Sequence, residues 1–403
     1  MRRVLRCAVG FLLILPLAGC WNRIELNELG IMTATGFDWE NGEWIVTFQE
    51  VVPSTMTSGM GGASGGKGSQ ATVHVFTTRG KTIREADSIN NLEHSRWVYL
   101  AHNNVLILGR GAAKHGIQDV LDKYFRDTDA RLTTELLVTD GDARTILKQF
   151  VPPETLPGAA IAAIIRKEDR FSSIFPSVNV FQAALKLSSE ARAVGIPEIA
   201  LSGAEDSGLE SMDVYKVTAP PAKLKLSRLA VFRKDRLIGW MNREESLGVS
   251  WLSDRIKSST FSVPCPDAGS ASESRNMAYR VDHAEVKVIP RKANGGFRMI
   301  VKADATGELL QYGCKEDLTK PGTVRIMEKQ VRQKIMDDME SGWTAMRSLH
   351  ADLAGFADRI HRKYPKTWKR IKPSWNEELP QTDLDLRVSA KIRRQGLIYN
   401  PVR

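Results

Sequence analysis

Cysteine, long apolar runs and catalytic signatures are all scarce in this sequence, and each shortage excludes something. Of four cysteines in 403 residues, only two lie beyond the first twenty, and two in a large domain are not a disulfide framework. Beyond the first twenty residues no stretch approaches the about 20 consecutive apolar residues of a membrane-spanning helix. There is no His-Glu-x-x-His among the seven histidines, and His94/His102 and His350/His361 stand at spacings unsuited to zinc. No Gly-x-Ser-x-Gly occurs, and no internal repeat has a fixed period. Gly61 through Lys67 satisfies the first seven positions of a phosphate-binding loop, but Gly68 stands where a magnesium-ligating Ser or Thr is required. A strand pattern, Val73-His74-Val75-Phe76, follows it in place of a helix N-terminus. These absences speak against an enzyme, a metal site and a bound cofactor.

What is present begins at the N-terminus. Arg2, Arg3 and Arg6 precede an apolar run over 9–17, which closes on Leu17-Ala18-Gly19-Cys20. The run is too short to remain as a spanning helix and has the grammar of a secretory signal. Small residues at 18 and 19 admit a peptidase, and the Cys20 thiol is the group that takes a diacylglyceryl thioether. The reading is a signal over 1–19, removed, and a lipid-anchored mature chain starting at Cys20. More than one acyl chain gives a stable anchor. The formal charge of +10 would raise nucleic acid as a partner of a cytosolic protein. Export excludes it and leaves anionic headgroups, wall polymers or an acidic protein. Cys7 leaves with the signal, so Cys265 and Cys314 remain, and the sequence leaves open whether they pair.

The rest is globular in composition, 42% hydrophobic and 26% charged, and long enough for two or three domains. Strand patterns cover 44–52 and 72–78, separated by a Gly/Ser-rich loop over 58–69. Helix and strand patterns then alternate: helical at 82–92, 116–125 and 143–150, extended at 104–108 and 132–139, then helical again at 159–166 and 180–190. A Gly, Ser and Pro-rich stretch over 202–222 reads as a linker. It separates an N-terminal α/β-type part (20–201) from a C-terminal α+β part (223–403).

The second part opens with a hairpin, Leu229-Ala230-Val231-Phe232 and Leu237-Ile238-Gly239-Trp240 around a charged turn. A helix over 242–257 and extended segments over 260–311 follow. Val324, Met327, Val331, Ile335, Met339, Trp343 and Met346 keep the three-to-four spacing of one long buried helix face. Gly342 and residues 352–355 are places for it to bend or break, and Asp337-Asp338 fit its solvated side. A short helix over 356–364 stops at Pro365, and Asp383-Leu384-Asp385-Leu386-Arg387-Val388 alternates as a half-buried strand. The fold class expected is α+β, multidomain, with mixed sheets and packed helices, including a long helix in the C-terminal region. One basic segment, residues 361–372, interleaves cations with Tyr364 and Trp368. Lys363, Lys366, Trp368, Lys369 and Arg370 make it a candidate membrane or partner contact; the alternative is a solvated surface with Trp368 and Tyr364 packed inward.

Several segments together resemble the Ger(x)C family, the lipoprotein C subunits of spore germinant receptors. They are Cys20-Trp21-Asn22-Arg23-Ile24-Glu25-Leu26-Asn27-Glu28-Leu29-Gly30, Gly80-Lys81-Thr82-Ile83-Arg84-Glu85-Ala86, and the hairpin 229–240. Ala351-Asp352-Leu353-Ala354-Gly355-Phe356, the segment from His361 to Trp368, and Lys391-Ile392-Arg393-Arg394-Gln395-Gly396-Leu397 complete the set. The Gly/Ser loop departs from that pattern. The resemblance implies a non-catalytic subunit, lipid-anchored to the outer face of the spore inner membrane, acting with a multi-spanning A subunit and a transporter-like B subunit in nutrient-triggered germination. It supplies no catalytic residues. A tethered solute-binding lipoprotein of a transporter is the alternative.

Overall fold

A computed structural model describes residues 25–53, 71–203, 208–265, 275–293, 296–314, 316, 318 and 320–394. Cys20 and the Gly/Ser loop therefore lie outside the described residues.

After a single 3-10 turn (Leu26–Glu28), β1 (Leu29–Glu40) is buried along nearly its whole length. It is central: β2 (Glu43–Val51) pairs antiparallel on one side, and β3 (Val73–Gly80) pairs with β2. Threonine, alanine and glycine break up the apolar residues of β1, so it shows neither alternation nor a continuous run, and sequence patterning passes it over. Its small residues serve close packing: a Cβ on Gly36 would lie 2.8 Å from Leu147 and 2.9 Å from Ala143. Helix α1 (Ile83–Glu93) starts where the Thr82 hydroxyl accepts from Glu85 N–H. Then come β4 (Trp97–Tyr99), β5 (Val105–Leu108), α2 (Arg110–His115), α3 (Gln118–Arg126), β6 (Glu135–Val138), α4 (Ala143–Leu147), α5 (Pro157–Phe171) and α6 (Val180–Ser188). Strand β7 (Ala193–Gly203) closes this half.

Strands β4 and β5 both pair parallel with β1, at successive levels, and β5, β6 and β7 continue in parallel. Parallel strands bury both faces, and here alternate residues do so. Leu106 and Leu108 face a layer of α1, α2, α3 and α6, whereas Val105 and Ile107 face α4 and α5.

Residues 208–222 carry a 3-10 turn (Met212–Lys216) and bury Leu209, Val214 and Ala222 against Phe150. They lead into β8 (Ala222–Arg233), which pairs antiparallel with β7, and β9 (Arg236–Met241) pairs with β8. The first sheet thus has nine strands, in the order β3-β2-β1-β5-β6-β7-β8-β9 with β4 beside β1. The hairpin beyond the expected linker completes the sheet begun before it.

Helix α7 (Arg243–Leu252) opens on a capping box, Asn242 accepting from Glu245 N–H while Glu245 accepts from Asn242 N–H. The second sheet is β10 (Ser259–Pro264), β11 (Asn276–Ala293), β12 (Gly296–Tyr312) and, parallel to β12, β13 (Asp383–Arg394). A disulfide joins Cys265, just after β10, to Cys314, just after β12, settling the open pairing. Between β12 and β13 runs α8 (Pro321–Leu349), 29 residues long. Met327, Val331, Ile335, Met339, Trp343 and Met346 are all buried. The helix does not break at Gly342. Asp337 is exposed as expected, but Asp338 is not part of the solvated side: it is buried and accepts from Lys334 Nζ at 2.6 Å. The main chain turns at His350, in the left-handed region, and the buried Asp352 carboxylate accepts from Phe356 and Ala357 N–H. That caps α9 (Phe356–Lys363), which is followed by α10 (Pro365–Ile371) and α11 (Trp375–Glu378). One apolar core links β8, α7, α8, α9 and the second sheet.

Candidate docking surfaces

The basic segment occupies α9 and α10. Phe356, Ala357 and Ile360 bury the inner stripe of α9. Pro365 ends that helix by lacking an N–H and starts α10 at its first turn, where no N–H is needed. In α10, Trp368 points inward: it is 1% exposed and lies edge-to-face against Trp375 at 5.4 Å. Trp368 is thus a core residue and has no ring to offer a membrane. Tyr364 likewise packs on Phe297, at 5.7 Å. Lys363 is exposed but folds back, its Nζ donating to Pro290 O at 3.0 Å. Lys366, Lys369 and Arg370 are exposed at i, i+3 and i+4, on one side of α10, with no ion pair among the described residues. Beside them, Glu190 is held by His361 at 3.1 Å and Lys372 at 2.6 Å. Its carboxyl lies below the usual range because hydrogen bonds and charge from Lys372 outweigh burial. Three of the five residues expected at this contact, then, form a cationic strip.

A polar cleft of about 700 Å³ lies between α5, the start of α6 and the turn after α7. Buried Asp169 holds Arg255 at 3.5 Å and also pairs with Lys257. Glu135 accepts from Ser177 Oγ at 2.6 Å, and burial pushes its carboxyl up. These groups satisfy one another. Among the described residues no three His, Cys, Asp or Glu side chains converge as a metal site, and no helix is long and apolar enough to cross a membrane.

A third surface had no signal in the sequence analysis. The first residues of β1 pair with β4, Leu29 opposite Trp97 and Ile31 opposite Tyr99. At this edge Trp97 is 58% exposed and Leu92, at the end of α1, is 85% exposed. Around Ile31, the partner of Tyr99, a depression of about 410 Å³ is lined by Ile31, Thr33, His102, Asn104, Arg131 and Arg166 among others. No carboxylate lines it. Exposure is a tertiary property, so a Trp in a three-residue strand carries no mark of it.

Comparison with known proteins adds the following. A family model described as "Spore germination protein N-terminal domain" matches residues 22–201, and "Spore germination B3/ GerAC like, C-terminal" matches residues 227–396. The chain is 28% identical over 408 residues to Spore germination protein KC of Bacillus subtilis (strain 168), covering 100% of this chain and 98% of that protein. To Spore germination protein B3 of the same organism it is 21% identical over 411 residues, with 99% and 100% covered. The crystal structure of the GerBC protein has the same fold, with TM-score 0.54, 15% identity, and coverage of 89% of this chain and 96% of that one.

Proposed function

We propose, for a chain that belongs to the Ger(x)C family of spore germination proteins, the role of lipid-anchored, non-catalytic C subunit of a nutrient germinant receptor. The observation that carries this reading is the span of the likeness: two germination family models follow one another along the chain, and germination proteins match it from end to end. In this reading the signal over 1–19 is removed, and Cys20 holds the body on the outer face of the spore inner membrane. The receptor's A and B subunits are its partners. The division into parts at 20–201 and 223–403, with 202–222 between them, belongs to the same proposal. Completion of the first sheet by β8 and β9 supports a body that docks as one piece.

Physically, such a subunit needs no active site. A lipid anchor confines it to a thin layer, which raises its effective concentration at a membrane partner without any new contact. The cations Lys366, Lys369 and Arg370 supply a strip for an acidic partner or a headgroup surface. Cys20→Ala is expected to move the protein from the membrane to the soluble fraction of spores; full retention would refute the anchor. Deleting the gene is expected to abolish germination in response to a specific nutrient while sporulation continues. Unchanged germination with every nutrient, in a strain lacking paralogues, would refute the receptor role.

A further inference from the structure

The anchor and the fold together constrain which side of the molecule meets the lipid. This inference rests on the lipidation of Cys20 proposed above. Cys20 is five residues before Glu25, where the described chain begins. Five residues span at most about 18 Å, and part of that length crosses the headgroup layer. The entering turn leads directly into Leu29, which is paired with Trp97. Whatever the orientation of the rest, this corner of the first sheet stays close to the bilayer.

That corner has the composition of an interfacial surface. Single exposed apolar residues are ordinary. Here, however, the two most exposed large apolar side chains of the described residues, Leu92 at 85% and Trp97 at 58%, lie five residues apart in the chain, and Trp97 pairs with Leu29 where β1 begins. Trp is the residue that settles at the headgroup level, with an apolar ring and a polar N–H. The depression around Ile31 exposes Arg131 and Arg166, neither in an ion pair among the described residues, with His102 and Asn104 also in its lining. Arg166 also feels the Glu135 carboxylate in the neighbouring cleft, but with neither guanidinium held in an ion pair, their N–H donors suit a phosphate oxygen. Glu25 and Glu28 are also exposed here, so the contact is no broad cationic face. It relies on entry of Leu92 and Trp97 and on local phosphate contact at the two arginines.

We propose that the sheet edge formed by the N-terminal ends of β1, β4, β5 and β6 is the lipid-facing surface, with Trp97 and Leu92 in the interfacial layer and Arg131 and Arg166 on headgroup phosphates. In this proposal the α10 strip is not the lipid contact and is left for an acidic partner. The test uses full-length lipidated protein on phosphatidylcholine vesicles containing phosphatidylglycerol, spin-labelled at Trp97→Cys, with Lys369→Cys and Leu310→Cys as comparison sites. Accessibility to oxygen and to a water-soluble nickel chelate is read with and without vesicles. The label at 97 is expected to gain oxygen and lose nickel accessibility on vesicles, while those at 369 and 310 stay open to nickel. Leu92→Cys gives the same reading should the Trp97 change disturb β4. If the protein sediments with vesicles but the label at 97 stays as open to nickel as that at 310, or the label at 369 enters lipid instead, the proposed face is wrong and the anchor stands. If the protein does not bind vesicles at all, the anchor fails and the face fails with it. Replacing Arg131→Gln together with Arg166→Gln is expected to reduce severalfold the gain in binding as phosphatidylglycerol is raised; an unchanged gain overturns the headgroup contact.

Discussion

Glu198 is a carboxylate in the middle of a nine-stranded sheet, and its side chain is 2% exposed. Burying a charge is costly unless it is paired and hydrogen-bonded. Arg228, across on β8, meets both oxygens, at 2.8 and 2.7 Å, and reaches Asp140 at 2.9 Å. Its guanidinium also lies 4.3 Å from the centre of the Trp240 ring. Ser227 Oγ donates to the same carboxylate. Removing the arginine leaves the acid stranded, so Arg228→Ala is expected to cost about 2–4 kcal/mol, the lower end because Arg228 is partly exposed. Urea unfolding of the mature protein measures it. Pairing Arg228→Met with Glu198→Gln should recover part of the loss, since both charges then leave together. At this scale the sequence misled at Asp338, expected on the solvated side of α8 and buried in the fold. It left two readings open at Trp368, which amid cations resembles an interfacial aromatic. Its position on the helix decides otherwise, because the side of α10 opposite Lys366, Lys369 and Arg370 is the one that meets the core.

Among the elements, legibility followed periodicity. The long helix announced itself through seven apolar residues at helical spacing, and the β8–β9 hairpin through two apolar runs flanking a charged turn. Strand β1 did not, because a strand buried on both faces next to close-packed helices can be built from Thr, Ala and Gly as readily as from Val and Ile. Nor did β7, which lay between a helical pattern and a stretch read as a linker. What joins α7 to α8 was also invisible in one dimension. Gly248 and Gly342 meet where the helices cross: a Cβ on Gly248 would lie 1.9 Å from Asp338 O, and one on Gly342 2.5 Å from Gly248 C. Gly342 therefore reads as a helix breaker in sequence and acts as a contact point in the fold. Alanine at either site would gain about 1 kcal/mol in helix propensity. The backbone clash should exceed this, because the opposing atoms are main chain and cannot swing aside. Gly248→Ala and Gly342→Ala are each expected to lower stability by about 2 kcal/mol or more, read as a fall in Tm, while an exposed change such as Gly322→Ala leaves it near the wild-type value.

For the whole molecule, the pH dependence of stability depends on where its carboxyls are. Several are buried without a fully compensating cation, and burial is the first cause of their raised pKa: Asp38, Glu135, Glu168, Asp338 and Asp352. Asp38 rises to about 6 although it accepts from Ala143 N–H at 3.0 Å. Glu168 rises to about 7, with Oε1 accepting from Ile174 and Phe175 N–H and Oε2 buried and unpartnered among the described residues, where a proton would sit. Because the folded pKa exceeds the unfolded one, the native state binds more protons between them, and stability falls as pH rises through that window. For Asp38 the stabilisation is complete below about pH 4 and lost above about pH 6, a change of about 2–3 kcal/mol. Opposing this, a chain of formal charge +10 at neutral pH becomes more positive in acid and repels itself. The two trends cross in the mildly acidic range, so maximum stability is expected near pH 5 and not at neutrality, measured by urea midpoints from pH 4 to 8. Asp38→Asn and Glu168→Gln keep the main acceptor oxygens while removing the titration. Their stability should decline less between pH 5 and 7 than that of the unaltered protein; a decline just as steep would place the pH dependence in other groups.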